Sequence, residues 1–282
     1  MSQRLQGKIA VVTGASRGAG RAIAAVLGEE GATVYVTGRS TTADPAPTDP
    51  LPGTIEETAA LVTARGGTGI AVSCDHTRDD DVAALFRRVR EEQGHLDLLV
   101  NNVWGGFERH TQPGFDRPFW EQPTDLWEKM FVAGVRAHFL ASRLAVPLML
   151  PRRAGLIVNT VAWSFGDYLG NLYYDVAKAA SIRMAYGMAH ELRQYEITAV
   201  AVAPGPMRTE RVAAALAERP AELAELESPE YLGRAVAALA ADAHVIHRSG
   251  SILTVAELAR EYGFTDIDGR RPGPYRVPDL DD

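Results

Sequence analysis

The sequence predicts an α/β chain: one domain over residues 1–282, with a doubly wound parallel sheet and helices on both faces. Three observations carry that expectation. Short apolar runs, such as IAVV at 9–12 and LDLLV at 96–100, read as strands buried on both faces. They alternate with segments whose apolar residues recur at helical spacing, the pattern of strand–helix–strand crossovers. Residues 9–39 compress strand, glycine turn, helix and strand into about 30 residues, the length of one crossover unit.

The elements follow in order. The strand at 9–12 runs into TGASRGAG, which carries Gly14, Gly18 and Gly20. Ile23, Val26 and Leu27 mark the helix behind it, and Gly31 supplies a stop. A strand at 33–37 ends at Gly38 and Arg39. Residues 41–53 are rich in Pro, Asp and Thr and form a surface loop, since the alternation resumes after them. A helix at 54–65 and a strand at 69–73 lead to Cys74 and Asp75. A helix at 79–93 and a strand at 96–100 lead to Asn101 and Asn102. The loop at 104–123 holds Trp104, Phe107, Phe115, Phe119 and Trp120. It is either an insertion packed by its own rings or an aromatic wall for a ligand. Thr124 is the expected N-cap of a long helix to about 150, with Pro147 near its end. A strand at 155–161, a second long helix at 172–193 and a strand at 197–203 follow, the last ending in PGPMRT. Helices at 209–242, a strand at 251–255 and a short helix at 256–262 complete the order. The tail at 264–282 is polar and Pro-rich, so it is expected on the surface or partly disordered.

Composition excludes several classes. The formal net charge of −7 disfavours nonspecific binding to nucleic acid or an anionic membrane. No unbroken apolar run reaches the length of a membrane span, and MSQRLQGK leads directly into the first strand without a signal peptide. A cytoplasmic protein is expected. The single cysteine, Cys74, excludes an intrachain disulfide and a cysteine-based metal site. His244 and His247 have partial ligand spacing but no third ligand, so no metal is expected.

The chemistry concentrates in two places. Glycines let the backbone approach a pyrophosphate, and the helix N-terminus behind them offers N–H groups and partial positive charge. The spacing is G-x-x-x-G-x-G, and a plain tight turn is the alternative. Arg39 at the end of the second strand and Arg17 in the turn are suited to a ribose 2′-phosphate, which favours NADP(H) over NAD(H). The alternative is two solvated surface arginines. Asp75 is placed to accept from an adenine amino group or to cap the next helix. Tyr174 and Lys178 lie four apart on one helix face. An ammonium beside a phenol lowers its pKa from about 10 and makes it a general acid/base.

TGASRGAG, Asp75, NNV at 101–103, Tyr174 with Lys178, and PG with Thr209 together resemble the short-chain dehydrogenase/reductase family over nearly the whole chain. Within it, FWEQPTDLWEKM, GLIV and ELAREYGFTDIDGR are similar to the dehydrogenase/reductase member 1-like group. The resemblance implies a Rossmann-type fold and a bound dinucleotide. It implies cofactor contacts from Gly14, Ser16, Arg17, Gly18, Gly20, Arg39, Asp75, Asn101 and Thr209, with Pro204 and Gly205 in the same loop. Tyr174 is the implied acid/base, and Lys178 the group that tunes it and holds the nicotinamide ribose. Homodimers or homotetramers through the two long helices are also implied. The expected activity is NADP(H)-dependent interconversion of a carbonyl and an alcohol. A weakly catalytic regulatory protein and a lyase or isomerase are the alternatives.

Two departures bear on that expectation. The family's active-site serine aligns with Ala162, which leaves Ser164 as the candidate hydroxyl, with Tyr168 and Tyr173 as others. The family's helix asparagine aligns with Gly134, so the proton relay is expected to be rewired. Trp104, Trp120 and Trp163 fall on the expected substrate side and suggest an apolar ketone or alcohol.

Overall fold

The computed structural model describes residues 3–44, 51–106 and 117–277. Phe107 and Phe115 of the aromatic loop lie outside them. Seven strands are present among the described residues: β1 (Ile9–Val12), β2 (Thr33–Gly38), β3 (Thr68–Ser73), β4 (Leu98–Asn101), β5 (Gly155–Thr160), β6 (Ile197–Ala203) and β7 (Ile252–Thr254). They form one sheet in the order β3-β2-β1-β4-β5-β6-β7, and every pairing is parallel. The order reverses between β1 and β4, which makes a crevice at the carboxyl ends of those two strands.

Register explains why the apolar runs read as they do. Val36, Val12, Val100, Val158 and Val200 form one lateral row across five strands. All five are fully buried in one core layer, together with residues of α1 (Gly18–Glu29), α2 (Ile55–Ala64), and two later helices introduced below. The preceding residues, Tyr35, Val11, Leu99, Ile157 and Ala199, form the matching row on the opposite face. That face packs against α3 (Asp79–Gln93) and the helix around Leu140, Ala145 and Leu148. Successive strand side chains point to opposite faces, so a strand covered on both must be apolar at every position.

The long helix differs from its expected form. α4 (Thr124–Met130) starts with Thr124 already inside the helix, and Pro123 is its N-cap with no side-chain bond. Residues Phe131–Arg136 are wound as a π-helix before α5 (Ala137–Met149). The whole stretch Thr124–Arg152 is long and apolar enough to cross a bilayer by length and composition, with half of its most apolar window buried in the fold. No unbroken apolar run marks it in the sequence, because charged residues are spaced along it.

Further along, Asn171 caps α6 (Leu172–Leu192) by accepting from Tyr174 N at 3.0 Å. Thr209 caps α7 (Glu210–Ala215) and is followed by α8 (Pro220–Glu225). α9 (Pro229–Ala241) and α10 (Val255–Tyr262) cover the valine face. The described part of the tail beyond Tyr262 lies on the surface, as expected, but is tied to the fold by hydrogen bonds. Arg271 donates to the carbonyls of Gly263 and Phe264, Arg270 donates to that of Ala224, and Asp266 is buried against Ser228.

Gly28 sets the spacing of α1 and α2. A Cβ there would fall 2.7 Å from the Val62 carbonyl oxygen and 2.9 Å from its Cα. Alanine gains about 1 kcal/mol of helix propensity, whereas overpacking costs roughly 1–3 kcal/mol. Because the obstruction is backbone, Gly28→Ala is expected to lower stability by about 1–2 kcal/mol, as read by chemical denaturation.

Candidate active site

The site begins where β1 and β4 end. The Thr13 hydroxyl donates to Val100 O at 3.2 Å and accepts from the N–H groups of Asn102 (2.9 Å) and Val103 (3.1 Å). Asn102 returns its side-chain amide to the carbonyls of Thr13 and Gly14. These bonds fix the floor of the crevice. Gly20 lies beneath the turn, where a Cβ would meet Gly14 O at 2.3 Å. Gly18 opens α1 at φ +56 and donates its N–H to the Glu210 carboxylate at 2.8 Å. The first amide of α1 thus already holds an oxyanion, which is the chemistry a phosphate requires.

A cavity of about 580 Å³ covers this edge of the sheet. Gly14, Ser16, Arg17, Gly18, Arg39 and Asp75 line one end, and Tyr174, Lys178, Trp104 and Trp163 the other. Pro204, Gly205 and Thr209 also line it. Four expected residues do not, the first being Gly20, which is buried beneath the turn. Asn101 is fully buried below the cavity and donates to Ser142 Oγ (2.8 Å) and Asn159 Oδ1 (2.9 Å), while its neighbour Asn102 faces the cavity. Trp120 is 72% exposed and stacks edge-on against Phe119, away from the site. Ser164 is buried off the cavity wall, donates to Asp167 Oδ2 at 3.1 Å and accepts from Val277 N at 2.7 Å.

At the glycine end, Arg17 donates to Ser40 Oγ, Gly53 O and Pro52 O, which ties the turn to the loop after β2. Arg211 joins this cluster. Burial and the charge of Arg17 push its guanidinium below the ordinary value. The sequence reading missed Arg211, although it stands only two residues past Thr209. Burial acts to raise the Asp75 carboxyl, but the Thr77 hydroxyl and amide and the Arg39 charge outweigh it and leave it low. Thr77 donates to Asp75 Oδ1 at 2.7 Å and 2.9 Å. Asp75 does not cap α3, whose N-cap is Arg78.

At the other end, Lys178 Nζ sits 4.0 Å above the Trp104 ring and 5.5 Å from that of Tyr174. Trp104 meets Tyr174 edge-on at 5.5 Å. Gly134 makes this possible, since a Cβ there would lie 2.6 Å from Trp104 Cζ3. The indole therefore takes the space beside the family's asparagine position. The expected lowering of the Tyr174 pKa is overturned: burial pushes the phenol up, and the neighbouring Tyr275 acts in the same direction. Burial pushes Lys178 down, to about 8. For both groups desolvation outweighs the other influences, Lys178 being buried and Tyr174 partly so. His138, pushed down to about 3 by burial first and Lys178 second, is neutral and donates Nε2–H to Val103 O at 3.0 Å.

The tail returns to this end. Tyr275 and Val277 line the cavity, and the Arg276 guanidinium lies 4.3 Å from the Phe165 ring centroid. No local pattern in the sequence announces that return.

A glycine turn and a tyrosine–lysine pair over the switch point of a parallel sheet define a dinucleotide-dependent oxidoreductase architecture. The chain belongs to the short chain dehydrogenase family, whose pattern it matches over residues 8–220, and it is an oxidoreductase acting on carbonyl or alcohol groups. It is 38% identical to "Dehydrogenase/reductase SDR family member 1" of Mus musculus, over 96% of this chain and 87% of that one. A short chain dehydrogenase from Mycobacterium thermoresistibile superposes with a TM-score of 0.81 at 26% identity, covering 98% of both chains. Hydroxysteroid dehydrogenase from Escherichia coli does so with a TM-score of 0.72 at 27% identity, covering 90% of this chain and 97% of that one.

Glu227 links the loop after β6 to pH. Its carboxylate accepts from Gly205 N at 2.9 Å. Burial pushes its pKa from an ordinary 4.5 to about 7, the Gly205 bond opposes this, and the charge of Asp266 adds to it. A raised folded value means stability is full below the unfolded pKa and is lost as pH rises toward the folded one. Wild-type protein is expected to lose on the order of 2 kcal/mol between pH 5 and 8 relative to Glu227→Gln. Denaturation midpoints of the two proteins across that range check it.

Proposed function

We propose that the protein is an NADP(H)-dependent oxidoreductase that interconverts a carbonyl and an alcohol on an apolar substrate. The observation that carries this reading is that one cavity is lined by both the glycine turn and the Tyr174–Lys178 pair. Gly18, Arg17, Asp75 and Thr209 would hold the dinucleotide, and Arg39 with Arg17 supports a 2′-phosphate. Their fit rests on the carboxylate already bound by the first amide of α1. When bound in its reduced form, the nicotinamide would supply a hydride to the carbonyl carbon and leave oxidised.

The chain's own residues supply the rest. Tyr174 gives its phenolic proton to the carbonyl oxygen as the π electrons move onto that oxygen. A pKa raised by burial keeps that proton in place until the oxygen becomes basic. Lys178, with a value near 8, is placed to return a proton to the phenol. The Trp104 and Trp163 side chains and Leu169 on the wall favour a bulky apolar substrate. The name of the Escherichia coli neighbour agrees with that choice. A cytoplasmic setting fits the single, buried cysteine. Exposed Phe139 on α5 and Tyr186 on α6, each about half exposed, support homo-oligomers through those helices.

One observation favours a second reading. Ala162 lines the cavity without a hydroxyl, and Ser164 is committed elsewhere, as a weakly catalytic cofactor-binding protein would show. Purified protein with NADPH and a carbonyl panel separates the two. Absorbance at 340 nm is expected to fall, and Tyr174→Phe to slow that by about 10²–10⁴. Binding of NADPH without turnover on any carbonyl would install the second reading. Arg39→Ala is expected to lower kcat/KM for NADPH about tenfold while that for NADH stays within a factor of about two.

A further inference from the structure

The serine position of the family is an alanine here, and the substitute hydroxyls named from sequence are not at the site. Ser164 is buried, donates to Asp167 Oδ2 and accepts from Val277 N at 2.7 Å. Tyr173 donates to Phe119 O at 3.2 Å, and Tyr168 is 51% exposed; neither lines the cavity. Thr160 lines it but donates its hydroxyl to Asn101 O at 3.3 Å.

Ser164 reveals where the hydroxyl comes from instead. The residue bonded to it, Val277, belongs to the C-terminal tail, 113 residues away. The adjoining Arg276 lies over Phe165, which is held at φ +55. Two successive residues of the 162–166 loop are thus clasped by two successive residues of the tail. Immediately before the clasp, Tyr275 lines the same cavity as Ala162, Trp163 and Tyr174.

We propose that Tyr275 donates a hydrogen bond to the substrate oxygen in place of the missing hydroxyl at position 162, and that Ser164 is a positioning residue that clasps the tail carrying it. The inference rests on the proposed carbonyl reduction. Tyr275 keeps its proton throughout; proton transfer remains with Tyr174. An O–H aimed at an oxygen that gains negative charge favours the transition state over the ground state.

The test uses the full-length protein, NADPH and the carbonyl best turned over by the wild type. Tyr275→Phe is expected to lower kcat by about 10²–10³, the size of a lost oxyanion donor, with unchanged NADPH affinity by fluorescence titration. Ala162→Ser in the Tyr275→Phe background is expected to recover at least about tenfold, because it restores a donor at the family position. Ser164→Ala is expected to lower kcat more than it raises KM, in the same direction as Tyr275→Phe, and Ser164→Thr to restore kcat. A Tyr275→Phe protein within about threefold of wild-type kcat overturns the inference. So does a double variant no faster than Tyr275→Phe, or a Tyr275→Phe protein that fails chiefly through lost NADPH affinity. A wild type that reduces no carbonyl overturns the reduction itself. Turnover lost in Tyr174→Phe but kept in Tyr275→Phe overturns only the role of the tail.

Discussion

The lateral row Val36, Val12, Val100, Val158 and Val200 is the constraint on which the site depends. Every member is fully buried, and burying such a side chain is worth roughly 1.5–3 kcal/mol. A slip of one residue in any strand would turn that side chain to the other face and open both layers. The row therefore locks five strands in register, and their carboxyl ends come out level. Thr13, Gly38, Asn102, Val161 and Pro204 all emerge at one edge as a result. Sequence-distant residues meet there because the core permits one alignment.

What the edge offers is partial positive charge with little competing solvent. The first amide of α1 takes the Glu210 carboxylate, and Arg17, Arg39 and Arg211 gather nearby. Glu210 and Arg211 come from the start of α7, so the loop after β6 contributes both an anion and a cation to the same end of the cavity. The glycine turn is thus coupled to an element almost two hundred residues away, through one charge-assisted hydrogen bond. Glu227 holds the beginning of the same loop through Gly205. The loop is gripped at both ends by carboxylates, one of them pushed by burial toward neutrality near pH 7.

The sheet was legible because its signal is local and repeated. Strands covered on both faces are apolar throughout; the limits of β1 and β6 are as expected, and those of the others lie within two residues of the expected ones. The glycine turn and the Tyr174–Lys178 pair were legible for the same reason, since their spacing lies within one turn or one helix. Asn101 and Asn102 were not separable by pattern: adjacent residues at a strand end face opposite ways, and only the pleat decides which one meets the cavity. Ser164 was misplaced because its partner Val277 is 113 positions distant. The acidity of Tyr174 was misjudged because the lysine is visible in a helix pattern and burial is not. Thr124 looked like a cap, but α4 is entered one residue earlier, at Pro123, so the threonine stands at the first helical position.

The two departures from the family pattern have one physical answer. Gly134 removes a side chain from the helix, and the Trp104 indole fills the space and presents its face to Lys178 at 4.0 Å. Such a contact is worth about 0.5–2 kcal/mol to the charged form, which opposes the cost of burying the ammonium. Burial still wins, but only far enough to bring the lysine to about 8. At pH 7 that leaves it protonated by roughly ten to one, close enough to neutrality to release a proton and charged enough to have one. Ala162 likewise lacks a hydroxyl, and Tyr275 lines the same cavity from the tail. In both places a small residue on the scaffold is accompanied by an aromatic ring from elsewhere in the chain. In the proposed reduction, the desolvation that raises the Tyr174 phenol would hold its proton until a substrate oxygen draws it away.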